Sequence, residues 1–485
     1  MTLPTQSREA HARSFPLGAF YPSSIRPLNR EVMDALFLNE VFEVDEPELD
    51  PAAIQDSLQS EVLMGDKAAK RKGFEIFEAV GFARSEATSK NVSTLIRITH
   101  PSLAKVYVPP DTFGTRAWVR FFLASDQVDP ALRSRIRQLA DTAATRKENV
   151  FERGMSVGIR SALSALKAAK ATPNSPKGSP PSAGLPVISK YHCEFARLAK
   201  LLVEGYEVQS AKDATLAEQA LDDVRRLYEV FLWLYWVQMH ASAHYAIQDL
   251  RSGAPVSGRP GFWYFGYETE RGSISERPFA SSREDLERTL YSGSIALNAL
   301  VALHQSADLT SPVWFTELSS TTSQDSERAQ RLDEWVESYA KLVGDVTPTP
   351  GPSLNLGKAI VRAYEAIQSH YAQVEKETDR FPKTVGYGVA RHLGAGDSCV
   401  LFMELGRGAR RGVTAMVDQE MLLLIGRALA GGKERVRIQP IFEFLKDMGI
   451  GLDDFTIESI ISDFERRGLL RSLSDSGEAM YVNLR

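Results

Sequence analysis

Apolar residues recur at helical spacing through most of the chain and at strand spacing in a few short stretches. The clearest pattern lies at the C-terminal end. From Asp418 to Ala430, the residues Met421, Leu424, Ile425, Ala428 and Leu429 share one helical face, and Gly431-Gly432 stops the run. Arg435 to Ile438 alternates, with Val436 and Ile438 set between arginines, as a short strand does. Pro440 to Met448 predicts a second helix with proline in its first turn, where the missing amide costs nothing. Asp453 to Arg467 predicts a third, with Ile457, Ile460, Ile461 and Phe464 at i, i+3, i+4 and i+7 and Gly468 closing it. Leu469 to Leu473 and Met480 to Leu484 then flank the turn-former Ser474-Asp475-Ser476-Gly477, and Met480, Val482 and Leu484 alternate with Tyr481 and Asn483. Helix, short strand, helix, helix, hairpin is the order of a winged helix, so that unit is expected over 418–485.

Upstream the periodicity is mostly helical. Ala214 to Leu250 places Leu221, Val224, Leu227, Phe231 and Leu234 on a helix. Ser281 to Gln305 opens with Ser281-Ser282-Arg283-Glu284, a capping-box pattern, and Asp325 to Val343 and Leu354 to Thr378 are further amphipathic stretches. Near the N-terminus the β-branched Thr94 to Ile98 and Lys105 to Val108 flank His100-Pro101-Ser102, which predicts a hairpin; Asp129 to Lys167 is helix-forming. Two segments break the pattern. Ala168 to Pro186 (AAKATPNSPKGSPPSAGLP) has Leu185 as its only large apolar residue, and Gly344 to Ser353 (GDVTPTPGPS) carries three prolines and two glycines. The expected layout is an α+β domain over 1–167, a flexible linker at 168–187, a helical bundle over 188–343, a second linker at 344–353, a helical and β connector over 354–417, and the winged helix. The fold class is mainly α with α+β parts, in several domains.

Composition narrows the function classes without selecting one. The chain has 485 residues, 43% hydrophobic and 25% charged, as a globular protein does. A net charge of -5 argues against a globally basic nucleic-acid binder but leaves room for one basic face. Cys193 and Cys399 are too few for a disulfide framework or a four-thiolate zinc site, which fits a reducing compartment. Met1 to Ala19 is polar, unlike a secretory signal, and the longest strongly apolar run, Val230 to Val237, falls far short of the ~20 residues that cross a bilayer. A cytoplasmic location without membrane attachment is expected.

No catalytic set emerges. His240 and His244 are four apart on a predicted helix, a spacing that can hold a metal, but His-Ala-Ser-Ala-His lacks the glutamate of helical zinc proteases. A packed helix pair is the simpler reading, so no metal is expected. Gly351 to Ala359 (GPSLNLGKA) departs from a phosphate loop in glycine spacing, and Ala359 stands where a hydroxyl would reach magnesium. Gly386 to Gly396 and Gly406 to Gly412 do not fit a dinucleotide fingerprint, so no cofactor is expected either. Phe262 to Tyr267 (FWYFGY), with Arg251, Arg259 and Arg271 around it, is either a stacking platform for unpaired bases or an aromatic strand plugging the bundle. The protein is expected not to be an enzyme.

A winged helix usually reads DNA with its third helix. Here Asp453 to Arg467 holds five acidic residues (Asp453, Asp454, Glu458, Asp463, Glu465) and two basic ones, and phosphate contact needs cations. The basic groups lie elsewhere. Arg407, Arg410 and Arg411 precede the unit, Lys433, Arg435 and Arg437 surround the short strand, and Arg471 begins the wing. These seven are the candidate DNA-binding residues, with no catalytic, cofactor or metal residues beside them.

The same stretch resembles a known family. A glycine-and-arginine segment, Asp418-Gln419-Glu420-Met421-Leu422-Leu423-Leu424, the two-helix unit ending in Arg466-Arg467-Gly468-Leu469-Leu470, and the closing Ser474-Asp475-Ser476-Gly477-Glu478-Ala479-Met480-Tyr481-Val482 resemble the C-terminal end of accessory proteins of bacterial anti-phage restriction islands, in particular the DptG-like component of phosphorothioation-dependent restriction. The resemblance implies a non-catalytic scaffold or DNA-docking subunit, working beside a separate ATPase or nuclease. The alternative is a winged-helix transcription regulator that binds double-stranded DNA.

Overall fold

The structure is a computed structural model that describes residues 30–44, 47–62, 82–85, 93–96, 100–109, 130–168, 189–210, 213–267, 278–307, 313–319, 323–343, 355–378, 402–404, 413–472 and 480–484, with Lys72, Glu75, Val80, Leu123 and Ser353. Among the described residues the protein is mainly helical, with a few short strands. The N-terminal part comprises α1 (Arg30–Phe42), α2 (Pro51–Ser57) running into a π turn, the hairpin β1 (Phe82–Ser85) and β2 (Ser93–Ile96), α3 (Pro130–Ala143) and α4 (Val150–Ala168). The hairpin expected between 94–98 and 105–108 does not form. Instead β2 pairs with β1, Phe82 opposite Ile96, and Pro101–Lys105 is a 3-10 turn. Local chemistry explains this: His100 Nδ1 accepts from the Ser102 amide at 3.2 Å and Pro101 occupies the first position, which starts a helical turn. The buried Asn39 of α1 then donates to the carbonyls of Ala104 and Tyr107 at 2.6 and 2.9 Å, holding that turn in place. A small apolar core of Ile54, Leu58, Ile96, Leu103, Tyr107, Met155 and Ile159 fills this part.

The helical middle is built on one long element. After α5 (Ser189–Ser210), α6 (Ala214–Ser252) runs for 39 residues, or ~58 Å at 1.5 Å per residue. Asp213 caps it by accepting from the Thr215 and Leu216 amides, and Gly253 closes it in the left-handed conformation. Leu227, Tyr228, Phe231, Leu234 and Tyr235 are buried on one side of its middle turns and Val230, Val237, Ala241 and Ala243 around the rest, so the middle of α6 is apolar on every side and must be wrapped. The wrapping comes from α3, α5, α7 (Pro278–Ala307) and α9 (Leu356–Thr378), with α8 (Ser323–Val343) closing against α7 and α9. Gly293 lets α7 come down onto the His240 carbonyl of α6. The helix expected from Ser281 begins earlier, at Pro278, so Ser281–Glu284 lies within it rather than at its cap. Arg225 of α6, nearly fully buried, is met by Asp34 of α1 and by Asp222 and Glu229 of its own helix, which ties the N-terminal part to the bundle.

The segments expected as linkers at 168–187 and 344–353 lie outside the described residues, except Ala168 at the end of α4 and Ser353. The Ser353 amide and hydroxyl donate to Asp333 at 2.6 and 2.8 Å. Between α6 and α7 run the two-residue strands β3 (Trp263–Tyr264) and β4 (Gly266–Tyr267); after α9 come β5 (Phe402–Glu404) and β6 (Val413–Val417), β6 lying between β4 and β5.

The C-terminal unit follows: α10 (Gln419–Ala430), β7 (Arg435–Arg437), α11 (Ile438–Asp447), β8 (Ile450–Gly451), α12 (Asp454–Arg466), β9 (Leu470–Ser472) and β10 (Met480–Asn483). Asp418 and Asp453 cap α10 and α12 by accepting from the amides three residues on, at 2.7 and 2.8 Å. This unit shares the core of the bundle. Phe444 of α11 packs against Phe231 of α6, ring centroids 6.1 Å apart, and Gln238 of α6 binds both the Gly261 backbone and the Met448 carbonyl. β8 continues the chain's pairing with β3 in parallel, Trp263 opposite Ile450. Arg427 of α10 makes a two-pronged pair with Asp223 of α6 at 2.8 and 2.8 Å, and the Tyr206 hydroxyl donates to the same carboxylate.

A second backbone approach brings α5 against the turn after α10. A Cβ on Gly205 would lie 2.5 Å from the Gly432 Cα, backbone against backbone, so neither side can yield cheaply. Gly205→Ala is therefore expected to lower stability by about 1–3 kcal/mol, read as a reduced urea midpoint of the full chain. An unchanged midpoint would mean that α5 and this turn are not held in contact.

Candidate nucleic-acid interface

The three-stranded sheet of the C-terminal unit, in the order β7-β10-β9, sorts its side chains by the period of two. Val482 is paired with Val436 on one side and Leu470 on the other, and these face inward; Val482 is fully buried. Tyr481 is paired with Arg437 on one side and Arg471 on the other, and directly paired residues share a face. Asn483, paired with Arg435, lies on that same outer face. The outcome is an exposed row Arg437–Tyr481–Arg471, with Arg435 and Asn483 one step along the strands. Arg435, Arg437 and Arg471 are exposed and Tyr481 half-buried. Arg437 Nε donates to the Tyr481 hydroxyl at 3.2 Å, and its guanidinium lies 5.7 Å from the ring centroid, within cation–π range.

Of the seven basic residues proposed from the sequence, the fold thus brings together Arg435, Arg437 and Arg471. Lys433 is exposed in the turn before β7, next to this face. Arg407, Arg410 and Arg411 lie outside the described residues. Tyr481 and Asn483 join Arg435, Arg437 and Arg471 on this face, although neither is basic. Their signal was the alternation of Met480, Val482 and Leu484 against them, which marks a polar face but not what stands beside it.

The third helix presents the opposite charge. Along α12 the exposed positions are Asp454, Phe455, Glu458, Ser462, Glu465 and Arg466, an acidic stripe from its start to near its end. Its inner side is fastened to the bundle. Asp463, 3% exposed at its side chain, accepts from the Tyr267 hydroxyl of β4 at 2.8 Å, from Arg467 at 2.9 Å and from Arg466. Burial pushes the Asp463 carboxyl up, but the hydrogen bonds from Arg466, Tyr267 and Arg467 outweigh it and hold the group below its ordinary value.

Other sequence features resolve into packing. His240 is fully buried on α6, and Gln248 donates to His244 Nε2 at 2.9 Å; burial lowers the affinity of His244 for a proton. Among the described residues, no group of three or more His, Cys, Asp or Glu is placed to hold a metal. In Phe262 to Tyr267, Trp263, Phe265 and Tyr267 are buried while Phe262 and Tyr264 are exposed, so the segment is a strand-like plug with two aromatics outside. Lys358, of the glycine-containing stretch before it, is exposed in the first turn of α9, where Asn355 accepts from its amide. No helix among the described residues is long and apolar enough to cross a membrane. No protein-family model matches the chain, and no curated protein matches it.

The Tyr267–Asp463 contact predicts a pH dependence. A carboxyl with a depressed value contributes stability above its unfolded value, about 3.9, and loses it as pH falls through the folded value. Asp463→Asn is expected to cost about 1–3 kcal/mol near neutrality, by urea unfolding. Its difference from the parent should be constant above about pH 5 and shrink below about pH 4. A difference that persists undiminished at low pH would show that the charge of Asp463 contributes nothing.

Proposed function

We propose that the protein is a non-catalytic subunit of a multi-protein bacterial anti-phage defence system. In this reading residues 418–485 form a winged helix that docks double-stranded DNA, and the helical body holds partner subunits such as an ATPase or a nuclease. The cytoplasm is the expected compartment. The observation that carries the reading is the outer face of the β7-β10-β9 sheet, where Arg435, Arg437 and Arg471 converge from two edge strands. A three-cation face is what backbone neutralisation requires. The resemblance of the C-terminal stretch to the accessory components of restriction islands supports the setting.

A base-reading transcription regulator is the less favoured reading. It requires the third helix to enter the major groove, and the exposed side of α12 carries Asp454, Glu458 and Glu465. Docking through the sheet contacts phosphates and so predicts affinity that varies little with sequence.

The test is fluorescence anisotropy of unrelated duplexes with the full chain over a salt series. Binding is expected at low salt, with similar affinities across sequences. The triple change Arg435→Ala, Arg437→Ala and Arg471→Ala should reduce the slope of log K against log salt by about 1 per cation removed. No binding to any duplex at low salt would overturn DNA docking. A pull-down from the native host that brings down neither an ATPase, a nuclease nor a DNA-modifying enzyme would overturn the role as a subunit.

A further inference from the structure

We infer that the outer face of the β7-β10-β9 sheet selects nucleic acid with unpaired bases, with Tyr481 as a stacking platform between two guanidiniums. This rests on the reading that the same face docks DNA, and it specifies the form of DNA preferred. The register puts Tyr481 on the central strand with Arg437 and Arg471 directly opposite it on either side. The face therefore measures ~10 Å across its three strands and ~7 Å from Arg435 to Arg437. It is a flat patch with an aromatic in the middle and cations at its rim, the combination that binds single strands by stacking plus phosphate neutralisation.

Duplex DNA cannot use the centre of this patch. In a continuous duplex every base is stacked between its neighbours, so the arginines meet phosphates and the tyrosine meets no free base face. The element that would have to enter, α12, is acidic on its solvent side and fastened by Asp463 to Tyr267 on its inner side. An unpaired base has no such restriction. It can lie on the Tyr481 ring while its flanking phosphates reach Arg437 and Arg471, and Asn483, on the same face, offers both a donor and acceptors to a base edge. Arg437 donates to the Tyr481 hydroxyl at 3.2 Å, so its guanidinium already stands beside the ring.

The experiment uses the full chain and two nucleic acids, a short fluorescent oligothymidylate and a relaxed covalently closed circular duplex that offers neither ends nor unpaired bases. The oligothymidylate is expected to bind more tightly per nucleotide. Tyr481→Leu should weaken its binding by roughly 5- to 150-fold, the range set by one base–aromatic stack, and leave the closed circle's affinity within about twofold. Tyr481→Phe, which keeps the ring, should retain oligothymidylate binding within the same margin. Both side chains remain apolar and half-buried, and matching thermal unfolding of the variants excludes loss of fold. Equal affinity for the two nucleic acids, or a Tyr481→Leu effect that is absent or the same for both, overturns the preference while leaving backbone docking in place. Binding to neither overturns the preference together with DNA docking.

Discussion

A helix of 39 residues whose middle turns carry buried apolar side chains on every side is the constraint from which the architecture follows. α6 cannot be left half in water: Phe231, Val237 and Ala243 lie about a third of a turn apart around the helix and all are buried. Four other helices cover part of its surface. The C-terminal unit covers more of it, through Phe444 against Phe231 and through the Gln238 amide, which bonds to Gly261 and Met448 together. Burial on this scale is non-directional. The orientation of the C-terminal unit comes from contacts with geometry: the two-pronged Arg427–Asp223 pair, the strand pairing of β8 with β3, and the backbone approach of Gly205 to Gly432.

That orientation decides which surfaces are left for a ligand. The bundle side of α10 and the inner side of α12 are occupied. What faces outward is the sheet, carrying Arg435, Arg437 and Arg471, and the acidic stripe of α12. The two differ in sign, and an anionic polymer would be drawn to one and repelled from the other. Under the proposed function, a partition of this kind would let a net-acidic chain hold a polyanion at one place and protein partners elsewhere.

The sequence makes visible what local chemistry controls. Asp418 and Asp453 cap the helices they precede, Gly431 and Gly468 adopt left-handed conformations after them, and the alternation around Val482 separates an apolar from a polar strand face. Where the outcome depends on distant residues, it is hidden. Ser93–Ile96 could pair with either neighbour, and the 3-10 turn at Pro101, held by Asn39 from far upstream, decides in favour of Phe82–Ser85. Likewise, nothing in the spacing of Arg437, Arg471 and Tyr481 shows that they lie side by side; that follows from register. The acidic character of the third helix is legible, but its fastening to Tyr267 is not.

Polynucleotide contact is proposed for the sheet face and not for the third helix. Photocrosslinking of a halogenated oligodeoxynucleotide to the full chain, followed by mapping of the modified peptides, tests it most directly. Crosslinks are expected on the peptides bearing Arg435–Arg437, Arg471 and Tyr481, with Tyr481 itself modified. Crosslinks concentrated on Asp454–Arg466 would contradict it.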